Sequence, residues 1–206
     1  ELDYAGHLPG SYHDPAYTLS KWVVVWGKEP LPSNGDGFFG HWIIDCMKRG
    51  AKLISVDPRV NWLATRSVIQ LRLRNGTDAA LAMAMCNIII SEDLYDHEFV
   101  EKWTYGFDEL AERVRDWTPE RAAEVCGMTV DDVYEIAHDV ADGPSCIYTS
   151  FGFGHAGNSH PMYMSTAALL MLTGNLGKPG TSNGVSKSAA KCISMKYFVV
   201  PGKNNG

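Results

Sequence analysis

The stretch Gly50-Ala-Lys-Leu-Ile-Ser-Val-Asp-Pro-Arg59 constrains the fold of this chain more than any other. Lys52 to Val56 is a short apolar run with β-branched residues, which predicts a strand buried on both faces, as in a parallel sheet. Pro58 has no amide hydrogen and cannot continue the ladder, so the strand must stop at Asp57. In an open parallel α/β sheet, ligands bind beyond the carboxyl ends of the strands, where an acidic residue can accept hydrogen bonds from a ribose diol. Asp57 is predicted to stand there. Downstream, Asn75-Gly76 is a turn signal, Thr77 is an expected helix N-cap, and Asp78 opens an apolar helix from Ala79 to Ile90. Asp78 therefore puts a second carboxylate on the same rim. A carboxylate can accept two parallel hydrogen bonds from a planar donor pair such as the N1–H and exocyclic amine of guanine. Two rim carboxylates suggest a nucleoside.

Other runs extend the same architecture. Trp22 to Trp26 is a five-residue apolar strand candidate followed by Gly27-Lys28-Glu29-Pro30, and Ser145 to Thr149 is another, leading into Ser150-Phe-Gly-Phe-Gly-His155. A fourth strand is expected within Ser67 to Leu73, after a short helix from Asn61 to Arg66. Gly27, Gly76, Gly152 and Gly154 stand where a missing side chain lets a ligand approach the backbone. A helix is expected from Gly37 to Arg49, stopped by Gly50, and Ser33 and Asn34 near its start are candidate phosphate contacts. From Asp93 to Asp142 the chain reads as acidic helices. Thr118-Pro119 is one helix start, and Thr129 with Asp132 forms a capping box for a helix that turns Val133, Ile136, Ala137 and Val140 inward. Ser159 to Thr173 forms a last helix ended by Gly174. The expected fold is α/β: three layers, with a mostly parallel sheet flanked by helices in the Rossmann-like manner. It occupies residues 21–182, between an irregular entry segment (1–20) and a Ser-, Gly- and Lys-rich tail (183–206).

Charge and cysteine spacing exclude several functions. A formal net charge of -6 over 206 residues leaves no basic stripe for nucleic acid, so an anionic cofactor would rest mainly on backbone amides. The cysteines Cys46, Cys86, Cys126, Cys146 and Cys192 include no C-x-x-C pair, which argues against a zinc or iron-sulfur site within the chain. No apolar run is long enough to span a membrane. Gly35-Asp-Gly-Phe-Phe-Gly40 matches G-x-G-x-x-G and stands about twenty residues before Asp57, as a nicotinamide dinucleotide site requires. However, Pro30 and Pro32 separate it from the preceding strand, so the NAD-dependent dehydrogenase that it would imply remains the alternative. A non-catalytic interaction domain with a vestigial nucleotide site is the other.

Four segments in order, Val56-Asp-Pro-Arg59, Gly76-Thr-Asp-Ala-Ala-Leu81, Leu94-Tyr-Asp-His-Glu-Phe99 and Leu172-Thr-Gly-Asn-Leu-Gly-Lys-Pro-Gly180, resemble the molybdopterin oxidoreductases of the dimethyl sulfoxide reductase family over roughly residues 20 to 182. The resemblance implies a bis(molybdopterin guanine dinucleotide) cofactor carrying Mo or W, with this stretch similar to the central domain that grips one guanosine diphosphate end. It implies cofactor-binding roles for Gly27, Lys28, Glu29, Ser33, Asp57, Pro58, Arg59, Gly76, Asp78, Gly152, Gly154 and His155. Glu29 departs from the asparagine usual at its place and is expected at a sugar hydroxyl or turned away, because a carboxylate facing phosphate is repelled. Arg59, beside Asp57, and Arg66 are the arginines available to neutralise phosphate, Arg59 being favoured. His7, Ser11, His13 and Asp14 lie near where relatives carry the metal's protein ligand, yet no metal ligand and no catalytic residue is assigned. The implied partners are further domains of a longer chain and an iron-sulfur electron-transfer subunit. The stretch alone is expected to be an inactive fragment with an exposed apolar surface.

Overall fold

The computed structural model describes residues 18–33, 38–149 and 151–182. Four parallel strands, β1 (Trp22–Trp26), β2 (Lys52–Val56), β3 (Ile69–Leu71) and β4 (Ser145–Thr149), lie in the order β3-β2-β1-β4. β1 is buried along its whole length, as a central strand covered on both faces must be. Its register is flush with both neighbours: Trp26 stands beside Val56 on one side and Thr149 on the other. The ladder runs one peptide further, Gly27 N–H donating to the Val56 carbonyl at 2.9 Å and Asp57 N–H to that of Leu71 at 3.1 Å. Gly27 and Asp57 therefore leave the sheet on one straight edge.

Helices cover the two faces unequally. On one face, Val23, Val25 and Leu53 pack with Trp42, Ile43 and Cys46 of α2 (Phe38–Lys48), which follows the short α1 (Pro30–Ser33). On the other, Trp22, Val24, Trp26, Ile54 and Val56 meet the larger core around α3 (Asp78–Ser91). α3 is surrounded by α5 (Phe107–Val114), α6 (Pro119–Cys126), α7 (Val130–Ala141) and α9 (Ser159–Leu172), while α4 (His97–Trp103) joins α9. That encirclement is why α3 is apolar all round, with Leu81, Ala82, Ala84, Met85, Cys86 and Ile89 inaccessible to solvent.

β1, β2 and β4 have the boundaries expected from sequence, and the expected caps of α6 and α7 form. Thr118 Oγ1 accepts from Arg121 N–H at 3.3 Å, while Thr129 and Asp132 cap each other at 3.1 and 2.9 Å. Val133, Ile136, Ala137 and Val140 are buried as expected. Three expectations need correction. The strand within Ser67 to Leu73 is only Ile69–Leu71, because β2 offers it three paired residues, and the helix before it is a single 3₁₀ turn, Ala64–Arg66. Thr77 precedes α3 but its hydroxyl donates to the Arg74 carbonyl at 2.7 Å instead of capping the helix. The residues after β4, Phe151–Gly154, form a short helix, α8.

The four described cysteines are buried as free thiols, and burial pushes the Cys86 thiol up to about 12. Among the described residues no cluster of His, Cys, Asp or Glu is arranged to hold a metal ion, and no helix is long and apolar enough to cross a membrane. Ser11 and its neighbours, Asn34, Gly35 to Gly37, Cys192 and the tail lie outside the described residues.

Candidate nucleotide cleft at the strand ends

The chain builds β1, β2 and β3 outward in one direction and then returns to place β4 on the other flank of β1. This reversal opens a crevice beyond the carboxyl ends of β1 and β4. A cleft of about 350 Å³ occupies it, lined by Gly27, Asp57, Pro58, Arg59, Leu73, Asn75, Gly76, Asp78, Gly152, His155 and Ala156. Eight of the twelve residues singled out from sequence thus meet on one surface. Lys28 and Glu29 continue from Gly27, Gly154 belongs to α8, and Ser33 stands apart on α1, its hydroxyl donating to the Glu29 carbonyl.

Asp57 is held more tightly than a free rim carboxylate would be. At 2% exposed, its Oδ1 accepts from Arg59 N–H at 2.8 Å and from Arg59 Nε at 3.2 Å, and Oδ2 accepts from Nη2 at 3.2 Å. The backbone bond is the tight turn that Pro58 enforces between the two residues. Arg59 also faces Glu29 at 3.5 Å, which answers where Glu29 turns: toward a cation at the cleft margin. These two carboxylates hold the Arg59 guanidinium above its ordinary value, the Asp57 hydrogen bond first. Arg59 remains largely exposed and able to swing, but as folded it neutralises acids. Arg66 instead lies over the Trp62 ring at 3.8 Å. Lys28, next in sequence to Gly27, is a further cation of this region, its pKa lowered by burial.

Asp78 differs. It is the first residue of α3, and its Oδ1 accepts from Trp26 Nε1 at 2.8 Å. Burial raises its pKa above the ordinary carboxylate value and the negative charge of Asp57 adds to this, while the Trp26 bond and the backbone N–H groups of Asp78 and Gly76 oppose them. An N-terminal helix position favours the carboxylate form as well. Asp78 is thus a partly desolvated acceptor whose remaining hydrogen-bonding capacity faces a cleft.

The glycines have reasons of two kinds. Gly76 turns the chain with φ +83°, and the space where a side chain would begin is nearly open, the Asn158 Oδ1 atom being 4.0 Å away. Gly152 sits against Gly27: a methyl group there would come within 2.5 Å of the Gly27 carbonyl, to which Gly152 N–H already donates at 3.2 Å. Gly27 and Gly152 therefore let the ends of β1 and β4 close on each other, as well as bordering the cleft. Gly40, the last glycine of the G-x-G-x-x-G run, lies inside α2 with Leu31 Cδ2 2.6 Å from where its side chain would begin. Its place is explained by the packing of α1 on α2, and α1 separates the run from β1.

Sequence reasoning missed Trp26, assigned only to the core, and Asn75, assigned only to a turn. It also missed Asn158, whose Nδ2 donates to the Gly76 carbonyl at 2.7 Å and holds that turn in place. The one available signal was position: Trp26 is the final strand residue, directly before Gly27, and Asn75 directly precedes Gly76.

Comparison with known proteins bears on the family and the fold. The family model described as molybdopterin oxidoreductase matches residues 20–204. Acetylene hydratase of Syntrophotalea acetylenica is 41% identical over 128 residues, covering 62% of this chain and 17% of its own. Formate dehydrogenase H of Escherichia coli (strain K12) is 34% identical over 158 residues, covering 76% and 22%. The solved structure of acetylene hydratase from Pelobacter acetylenicus superposes with a TM-score of 0.70 at 32% identity, covering 81% of this chain and 22% of that one. The chain spans about a fifth of the length of these relatives. Such matches, on a parallel sheet with its cleft at the strand ends, identify an enzymatic family with a molybdenum or tungsten pterin cofactor. The chain belongs to the molybdopterin oxidoreductases, of the dimethyl sulfoxide reductase type that its motifs resemble.

Proposed function

We propose that the cleft grips the guanosine diphosphate end of one pterin guanine dinucleotide, within a longer Mo- or W-dependent enzyme. The observation that carries this is the convergence of Asp57 and Asp78 with Gly27 and Gly152 on one cleft at the reversal of the sheet. The residues present suit the group. Asp78 offers a partly buried acceptor to the N1–H and exocyclic amine of guanine. Asp57 is suited to a ribose hydroxyl through the acceptor capacity that Arg59 leaves it, or through all of it once Arg59 swings away. Arg59, Lys28 and His155 stand at the margin, where a diphosphate needs cations or N–H donors. Neither NAD nor an adenine nucleotide presents a donor pair of that kind to Asp78.

When bound, the metal and its pterins supply two-electron oxygen-atom or hydroxyl transfer, and this domain binds and orients them. The names of the relatives include a hydratase as well as a dehydrogenase, so the family by itself does not make the reaction a redox one. Further domains of a longer chain complete the cofactor site, an iron-sulfur subunit serves as electron partner, and the stretch alone is inactive.

Calorimetric titration of the 206-residue chain with GDP, ADP and NAD tests the reading. Selective binding of GDP, lost in Asp78→Asn, is expected. Binding of NAD but not GDP would replace this reading with the dehydrogenase, and silence toward all three would overturn it.

A further inference from the structure

We infer that Trp26 is the positioning residue of the cleft: its indole N–H fixes the orientation of the Asp78 carboxylate and so sets which donors of a bound base Asp78 accepts. The inference rests on the reading of the cleft as a guanine site. Trp26 closes β1, is inaccessible to solvent, and donates from Nε1 to Asp78 Oδ1 across 52 residues of sequence at 2.8 Å. An indole nitrogen can only donate, and a fully buried one has no water to turn to, so the bond to Asp78 is its means of satisfaction. The ring itself is immobilised. Phe153 of α8 meets it edge to face, with centroids 5.6 Å apart and planes at 88°, and Phe153 in turn packs on Tyr163 of α9.

A donor carried by a rigid strand end, aimed at the first residue of a buried helix, allows the carboxylate one plane. Rotation about the Asp78 side chain would break the bond and leave the indole unsatisfied. Base discrimination through paired hydrogen bonds needs that fixed plane, because the two acceptor oxygens must meet two donors at once. The bond also favours the charged form of Asp78 against burial and against Asp57. The other charged or titratable groups around this carboxylate are Arg59, paired with Asp57; His155 on the cleft wall; the Cys126 thiol, which feels the charge of Asp78; and Arg74 beside that thiol.

Two measurements on the 206-residue chain test this. In the wild type, the Trp26 indole N–H resonance is expected to shift as Asp78 titrates, and in Asp78→Asn that shift is expected to vanish. Trp26→Phe keeps an apolar ring but removes the donor. Trp42→Phe is the control for lost volume, being buried on the opposite face of the sheet with no partner for its Nε1 among the described residues. Trp26→Phe is expected to raise the pKa of Asp78, followed through its carboxyl carbon. It is also expected to lower the preference for GDP over IDP, which lacks the exocyclic amine, roughly tenfold, as loss of a hydrogen bond to a charged group does. Trp42→Phe is expected to change neither. An indole resonance indifferent to Asp78, or a Trp26→Phe chain with unaltered Asp78 titration and unaltered GDP:IDP ratio, would overturn the role of Trp26 alone. A wild-type chain that ignores both nucleotides would overturn the guanine reading and the selectivity claimed here with it.

Discussion

The two ends of β4 solve opposite problems. At its start, the Leu172 to Gly180 segment and the two residues after it close over the strand and satisfy its outer edge with side chains. Asn175, 3% exposed, accepts from Ser145 N–H at 2.9 Å and donates to the Val140 carbonyl at 3.0 Å and to Thr173 Oγ1 at 2.8 Å. Ser182 Oγ takes the next outward amide, Ile147 N–H, at 3.0 Å. Two side-chain oxygens thus stand where a fifth strand's carbonyls would be, and an edge strand is sealed. At its other end, β4 runs into a cleft where Asp57 is buried, Asp78 is partly so, and the charge of Asp57 helps to raise the pKa of Asp78. The same family motifs mark both ends. The closed end pairs its polar groups with one another, while on the proposed reading the open end keeps polar capacity for a ligand.

Substitutions sharpen the contrast, beginning with the largest effect. Asn175→Ala strands the buried Ser145 N–H and removes one hydrogen bond each from the Val140 carbonyl and Thr173 Oγ1, and a loss of about 3 kcal/mol is expected in urea unfolding. Nucleotide binding by the fraction that remains folded should be unchanged. Equal losses of stability and affinity would show that the two ends are not separable. Gly152→Ala forces a methyl group against the Gly27 carbonyl, and about 2 kcal/mol of destabilisation is expected from such overpacking. Here affinity for GDP should fall as well, because the β1 and β4 ends must part at the cleft.

Asp78→Asn should separate the two properties in the other direction. The folded pKa of Asp78 lies above its unfolded value, so the native state holds this proton more tightly. Relative stability is therefore full below the unfolded pKa and is lost as pH rises through the folded one. The neutral amide of Asp78→Asn carries no such penalty, and its oxygen can still accept from Trp26. Stability near pH 7 is accordingly expected to stay level or rise by less than about 1 kcal/mol, while guanine-selective binding disappears. Lys178→Ala is the smallest change. Its ammonium holds the Asp96 carboxyl below the ordinary value, so that pair contributes above the unfolded pKa of Asp96 and is lost as pH falls through the folded one. Both groups are substantially exposed, and no more than about 0.5 kcal/mol is expected, seen as slightly earlier acid unfolding.

Much of the closed architecture was legible in the sequence because each cue was local. Five-residue apolar runs ended by Gly27 or by Asp57-Pro58 gave β1 and β2 their limits, and Thr118-Pro119 and Thr129 with Asp132 marked two helix starts. Asp57 and Asp78 were placed on the rim by the same reasoning. Pairings between distant residues were not legible. Nothing in the periodicity of Trp22 to Trp26 tells which acceptor the last indole meets, and Asn175 meets Val140 of α7 and Ser145 of β4, each 30 residues or more away. Thr77 misled because a hydroxyl at a helix start can donate backward to Arg74 as readily as it can cap. The second role of Gly152 was not legible for a related reason, since a glycine that admits a neighbouring segment has the same sequence signature as one that admits a ligand.

The central claim is that a nucleotide's guanine end sits where the strands of the sheet stop. An amide chemical-shift map of the chain titrated with GDP tests it most directly. Shifts concentrated at Gly27, Asp57, Gly76, Asp78 and Gly152, and absent with ADP, are predicted. Shifts confined to Gly35 to Gly40 and the start of α2, or centred on Arg113, Trp117 and Pro161 in the adjoining cleft, would contradict it.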